Sequence, residues 1–152
     1  MTAGSPVRAE EDAQTGHEAD APEAHEARFA LAAFVGATRA PGGNETTLGL
    51  EGGFRINDTW SVGAVVERAD RERDSTLVLV GLGWHPLGPA WRFQVGVGRK
   101  DPQGERENVF RTGVAYEKEL HRGWFVKPYL AKDFIQHEDD EEVFGAYIGR
   151  NF

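Results

Sequence analysis

The sequence predicts an all-β chain: an eight-stranded antiparallel up-and-down transmembrane β-barrel preceded by a disordered acidic tail. Three observations carry that prediction. From Arg28 onward, apolar and polar residues alternate with a period of two through eight successive segments. All four Trp stand beside the same set of connections, and the terminal Phe152 falls at that end too. Finally, the polar parity is crowded with Gly, which weakens a strand unless something large must pass close by.

The tail comes first. Residues 1–27 hold seven Asp/Glu against one Arg, so most of the formal net charge of −8 belongs there. The stretch is rich in Ala, Glu, Gly, Asp and Pro, has no apolar period, and reads as disordered. His17 and His25 lie among acids in it, but their spacing fixes no coordination geometry, so a solvated linker is expected. The barrel domain is assigned to 28–152, a region with nearly balanced charge and no basic stripe for nucleic acid. The absence of Cys removes disulfides, thiolate metal sites and Cys nucleophiles. No run of 18 apolar residues is present, so the chain has no membrane helix, whereas short half-apolar strands remain available for a barrel.

The expected strands are Arg28–Thr38, Thr46–Ile56, Trp60–Arg68, Thr76–His85, Trp91–Arg99, Asn108–Lys118, Trp124–Ile135 and Glu142–Phe152. Their connections alternate in kind. NDT, PLGPA and ELHRG are short or turn-like; RAPGGNE, ADRERDS, KDPQGERE and QHEDDE are charged and more polar. In an antiparallel barrel each set collects at one end, and an even strand number brings both termini to the short-turn end. Trp60, Trp84, Trp91, Trp124 and Phe152 then form an aromatic girdle on one rim, where indoles sit well between hydrocarbon and headgroups.

Parity sorting gives two faces. One carries residues such as Leu48, Leu50, Phe54, Val62, Val66, Val80, Leu82, Phe93, Val95, Val97, Phe110 and Leu130. The other carries Glu51, Arg55, Glu67, Arg92, Gln94, Arg111, Glu117, Lys127, Tyr129, Asp133 and Tyr147, spaced by Gly. A soluble lipocalin-like barrel around an apolar ligand would turn the first face inward. The Gly-rich polar parity favours the reverse, since large polar side chains meeting across a narrow lumen need small neighbours. Eight strands leave an interior just wide enough for side chains to fill. Four acids and four bases in that set can pair, so a salt-bridged plug rather than an open pore is expected. Lys132 and Arg150 intrude on the apolar parity and are expected to snorkel at a rim.

The last strand, EEVFGAYIGRNF, alternates up to an aromatic terminus. It resembles the C-terminal strand of bacterial outer-membrane barrels, which the barrel-assembly machinery reads through a final Phe; Arg150 departs from the usual apolar residue there. With the eight strands and the Trp rim, residues 28–152 resemble small outer-membrane barrels such as the OmpA membrane domain and OmpX-like proteins. LGLEGGFRINDTWSVGAVVE, WFVKPYLAKDF and VFGAYIGRNF resemble a set of uncharacterised outer-membrane proteins with no assigned activity. The resemblance implies a mature Gram-negative outer-membrane protein, porin-like in architecture, with a periplasmic tail and lipopolysaccharide as neighbour.

No cofactor is expected. The loops Ala40–Asn44, Asp70–Asp74, Asp101–Glu107 and His137–Glu141 are expected to face outward, in a structural, display or binding role. The acids from His137 to Glu142 suit a divalent cation, although a solvated loop that keeps the rim soluble is the favoured reading. Ser75 and His137 fall near the same rim, the one arrangement that would suit a lipid A-modifying enzyme, but no local motif ties them.

Overall fold

A computed structural model describes Met1 and residues 28–70, 75–102 and 106–152. The expected disordered tail lies, Met1 apart, outside the described residues, as do parts of two loops. Nine strands follow in chain order. They are β1 (Phe29–Ala40), β2 (Gly43–Arg55), β3 (Trp60–Asp70), β4 (Ser75–Trp84) and β5 (Trp91–Pro102), then β6 (Glu107–Tyr116), β7 (Lys118–Glu119), β8 (Trp124–Ile135) and β9 (Glu141–Asn151). Each pairs antiparallel with its neighbours, β1 with β9 and β6 with β8, so the sheet is closed. β6 and β7 are two pieces of one stave, since both pair with β8; the barrel therefore has eight staves.

The break between β6 and β7 faces Pro128, which has no N–H to give to the ladder. From Phe29, the register runs through Phe54, Val62, Leu82, Val95, Thr112, Lys132 and Glu142. It returns to β1 at Arg39, ten residues along. Closure with such a stagger tilts the strands by roughly 40° and leaves a lumen that side chains fill.

Tight turns set the short-turn end. Asn57 Oδ1 accepts from the amides of Thr59 (2.9 Å) and Trp60 (2.8 Å), closing the β2–β3 turn. Between β7 and β8, Arg122 and Gly123 both take positive φ (57° and 78°), the hairpin geometry that matches strand twist. At the opposite end the β1–β2 connection is shorter than expected. β1 runs to Ala40 and β2 starts at Gly43, leaving Pro41 and Gly42 as a two-residue turn. Gly43 makes this possible, because its φ of 132° is open to glycine alone.

Burial assigns the faces. Leu48, Leu50, Val80 and Val97 are among the outward side chains, each more than half exposed. Inside, Glu51, Glu67, Arg111, Lys127 and Asp133 are buried. The apolar parity therefore lies outside, opposite to a soluble lipocalin-like barrel. Aliphatic and aromatic residues inside fill the spaces between charges. Phe34, Phe125, Tyr129 and Tyr147 form one cluster with small neighbours. Val65, Leu77, Leu79, Val109 and Ile135 form another.

The inward glycines make room for this filling. A methyl on Gly113 would stand 2.9 Å from the Tyr129 ring and 3.0 Å from Ala131 Cβ. A methyl on Gly52, which faces outward between Leu50 and Phe54, would meet nothing within 4 Å. Gly113→Ala is therefore expected to cost about 1–3 kcal/mol by overpacking. Gly52→Ala should be neutral or slightly stabilising. Urea titration of the refolded barrel, read by the gel mobility of folded and unfolded forms, would check the contrast; equal effects would contradict it.

Candidate functional site: the charged interior and its vestibule

The inward polar side chains form two ion clusters stacked along the lumen. In the first, Arg92 Nη1 and Nη2 donate to Glu51 Oε1 (2.8 Å) and Oε2 (2.9 Å). Lys127 Nζ donates to the same Oε1 at 2.6 Å. The three residues come from β2, β5 and β8, so this cluster spans the lumen. In the second, Arg111 lies directly across the β6–β8 ladder from Asp133. It donates to Asp133 through Nε (2.5 Å) and Nη2 (2.7 Å). It also reaches over the lumen to Glu67 on β3 through Nη1 (2.7 Å) and Nη2 (2.8 Å).

The first cluster holds one acid and two bases, the second two acids and one base, so their formal charges cancel. Buried charges survive only when paired and hydrogen-bonded, and this arrangement supplies both. Between the clusters Gln94 donates to the Tyr129 hydroxyl. Tyr129 and Tyr147 pack edge-on, and Lys127 Nζ lies 4.4 Å from the Tyr147 ring centre. The space left there is about 30 Å³, enough for one or two waters. Arg111, Tyr147 and Lys127 are at most 2% exposed at this level of the lumen.

A third ion pair closes the opposite end of the lumen. Lys100 Nζ donates to Glu141 Oε1 at 2.6 Å, with both residues buried. Sequence reasoning missed this pair. Glu141 adjoins an acidic run that reads as loop, yet it starts β9 and shares the inward parity of Val143 and Tyr147. Lys100 already stands on the polar parity of β5 with Arg92 and Gln94, so starting the last strand one residue earlier, at Glu141, would have supplied its partner.

Arg55 and Glu117 join neither cluster. They line a vestibule of about 280 Å³ at the short-turn end with Ser61, His85, Arg92, Lys127 and Asn151. Glu117 accepts from Asn151 Nδ2 at 3.2 Å. His85 is buried there, with Ser61 Oγ 3.0 Å from its Nε2. Burial, reinforced by the positive charges of Arg55 and Arg92, pushes its pKa down to about 4.

The remaining expected residues sit as follows. Trp60, Trp84, Trp91, Trp124 and Phe152 are exposed at the short-turn rim. Trp60 and Trp84 stack across β3 and β4, Trp91 meets Tyr116, and Phe152 meets Phe29. Lys132 faces out, 2.9 Å from Asp140 and over the Phe134 ring. Arg150 lies over the Phe152 ring, 5.3 Å from its centre. Ser75 is buried on the inner wall and His137 is exposed in the β8–β9 connection, which is not the geometry of a nucleophile and its base. Among the described residues no group of three or more His, Cys, Asp or Glu is gathered to hold a metal ion.

Neither a protein-family model nor a curated protein matches the chain. Solved structures do. The N-terminal β-barrel domain of Pseudomonas aeruginosa OprF is similar over 84% of this chain and 98% of its own, with a TM-score of 0.66 and 17% identity. Neisserial surface protein A is similar over 82% of this chain and 96% of its own, with a TM-score of 0.54 and 12% identity. A designed transmembrane β-barrel matches 80% of this chain and 94% of its own, with a TM-score of 0.50 and 10% identity. At such identities the likeness establishes the fold, an eight-stranded antiparallel barrel of the outer-membrane type.

Two measurements probe the site. Arg111→Met strands Glu67 and Asp133 without a counter-charge and is expected to cost about 3–5 kcal/mol in urea titration. Adding Glu67→Gln and Asp133→Asn should recover much of the loss; no recovery would mean the guanidinium acts mainly through packing. His85 binds a proton more weakly folded than unfolded, so protonating it opposes folding. Its contribution is complete above its ordinary pKa of 6.5 and falls away as pH drops toward about 4. NMR should find its ring neutral at pH 5.5, and Arg55→Gln should raise the midpoint.

Proposed function

We propose that this protein is an integral barrel of the bacterial outer membrane with a closed, salt-bridged interior, serving a structural, display or binding role rather than catalysis or open transport. One observation carries the reading: the outward surface is a continuous belt of Leu, Val and Phe, bounded at one rim by exposed Trp. In water such a surface would be a large aggregation-prone patch, whereas against acyl chains it needs no partner. The likeness to OprF and Neisserial surface protein A is consistent with that setting.

On this reading the short-turn rim faces the periplasm, together with the tail, and the more polar connections face the exterior. Lipid and lipopolysaccharide surround the belt, and the final strand ending in Phe152 addresses the assembly machinery. A divalent cation at His137–Glu142 is less favoured, because three of those acids already have basic partners: Asp140 meets Lys132, Glu141 meets Lys100 and Glu142 meets Arg39. The closed-interior part of the reading follows from the buried Arg111 and Lys127 clusters.

Expression in a Gram-negative host tests location. The protein should stay with membranes until detergent is added and should shift in gel mobility on boiling. A monomer that remains soluble without detergent would overturn the reading. In planar bilayers the parent barrel should conduct little, and Arg111→Ala should conduct more; a large steady conductance in the parent would contradict the plug.

A further inference from the structure

The outer wall carries grooves that differ in charge. One, of about 700 Å³, is lined by Gly and apolar residues alone. Another, of about 370 Å³, has Lys132 and Glu142 among its lining, a base together with an acid. A third, of about 630 Å³ across β5, β6 and β8, has a base and no acid, and that base is Arg99. Two rows of exposed side chains bound this third groove. Arg99, Asn108 and Gln136 stand toward the polar connections: Arg99 faces Asn108 in the ladder, and Asn108 Nδ2 donates to Gln136 Oε1 at 2.8 Å. Val97, Phe110 and Phe134 stand two residues further into the belt, roughly 7 Å away along the strands, and are joined in that order by the register.

The groove is therefore polar and positive along one edge and greasy along the other. Two outward bases at the same rim are already matched, since Lys132 lies 2.9 Å from Asp140 and Arg39 lies 3.8 Å from Glu142. Arg99 differs: among the described residues it has no ion-pair partner. Asp101, the next acid along its strand, lies across from Thr76 in the row beyond. A cation at the margin of a hydrocarbon belt calls for an anion, and a guanidinium fork suits the oxygens of a phosphate. The Asn108–Gln136 bond leaves the Gln136 Nε2 hydrogens free for an acceptor.

We propose that this groove binds the phosphorylated glucosamine headgroup of lipopolysaccharide. Arg99 is the charge partner of a phosphate, the carboxamides of Asn108 and Gln136 meet sugar hydroxyl and amide groups, and Val97, Phe110 and Phe134 receive the first stretch of an acyl chain. The proposal rests on the outer-membrane reading, which puts this rim in the outer leaflet. Charge and greasy surface lie side by side here, so an amphiphile fits where neither a free anion nor a neutral lipid satisfies both edges.

The test uses the full chain, labelled with ¹⁵N and folded in uncharged maltoside micelles, with heat-modifiable mobility as the check on folding. Purified lipid A should shift the signals of Arg99 Nε and of the Asn108 and Gln136 side-chain amides saturably. Lipid A stripped of its phosphates, and inorganic phosphate alone, should not. Phosphatidylglycerol should bind at least tenfold more weakly. Arg99→Gln, read from the two amides, should weaken lipid A binding at least tenfold, whereas Arg39→Gln, at a base already matched, should change it less than twofold. Equal loss in the two variants, equal binding of phosphatidylglycerol, saturable shifts with inorganic phosphate, or no saturable shift with lipid A would each overturn the site. Any of these in a correctly folded barrel would leave the outer-membrane reading standing; a chain that is soluble without detergent would remove both.

Discussion

Everything in this fold follows from ionised side chains sharing a lumen too narrow for bulk water. A closed sheet leaves no bare edge, so the backbone is satisfied wherever the barrel sits. The side chains are the harder problem. Glu51, Glu67, Arg111, Lys127 and Asp133 are all at least 94% buried. Each would be costly alone, and each is stabilised by a partner on another strand. The clusters therefore act as cross-lumen ties, linking β2, β5 and β8 at one level and β3, β6 and β8 at another. Gly49 and Gly113 serve the same end, since a methyl at either would collide with Glu67 or Tyr129.

The charge arrangement also separates two regimes within one interior. In mid-lumen, acids and bases balance in charge and the space left over holds only a water or two. At the short-turn mouth the match lapses. There Arg55 stands without an ion-pair partner among the described residues, and His85 is held neutral by burial and by its positive neighbours. An interior selected only for stability has no need of that imbalance, which gives the vestibule a chemical character distinct from the plug.

Much of the architecture was legible in the sequence because strand parity is a strict code. A residue that slips by one position moves from lipid to lumen, so Leu50 and Glu51, or Phe110 and Arg111, declare their faces against each other. Even β4, apolar on both parities, could be assigned, because Gly81 and Gly83 shared the inward side while Trp84 marked the rim. The partners of each charge were not legible. Pairing depends on register and on the stagger of closure, which bring Glu67 to Arg111 over a separation of 44 residues. The Lys100–Glu141 pair was hidden for the same reason and by the acidic run before it. The tightness of the β1–β2 turn escaped notice because RAPGGNE reads as a loop, until the φ of Gly43 is known.

The central claim is one of orientation, and a cysteine-free chain allows it to be tested residue by residue. Single cysteines placed in turn from Val78 to Leu82 would be spin-labelled and the barrel reconstituted into bilayers. Labels at Val78, Val80 and Leu82 should be mobile and strongly relaxed by oxygen dissolved in the hydrocarbon; labels at Leu79 and Gly81 should be immobilised and shielded. The same alternation with the parities exchanged, or no alternation at all, would contradict the account.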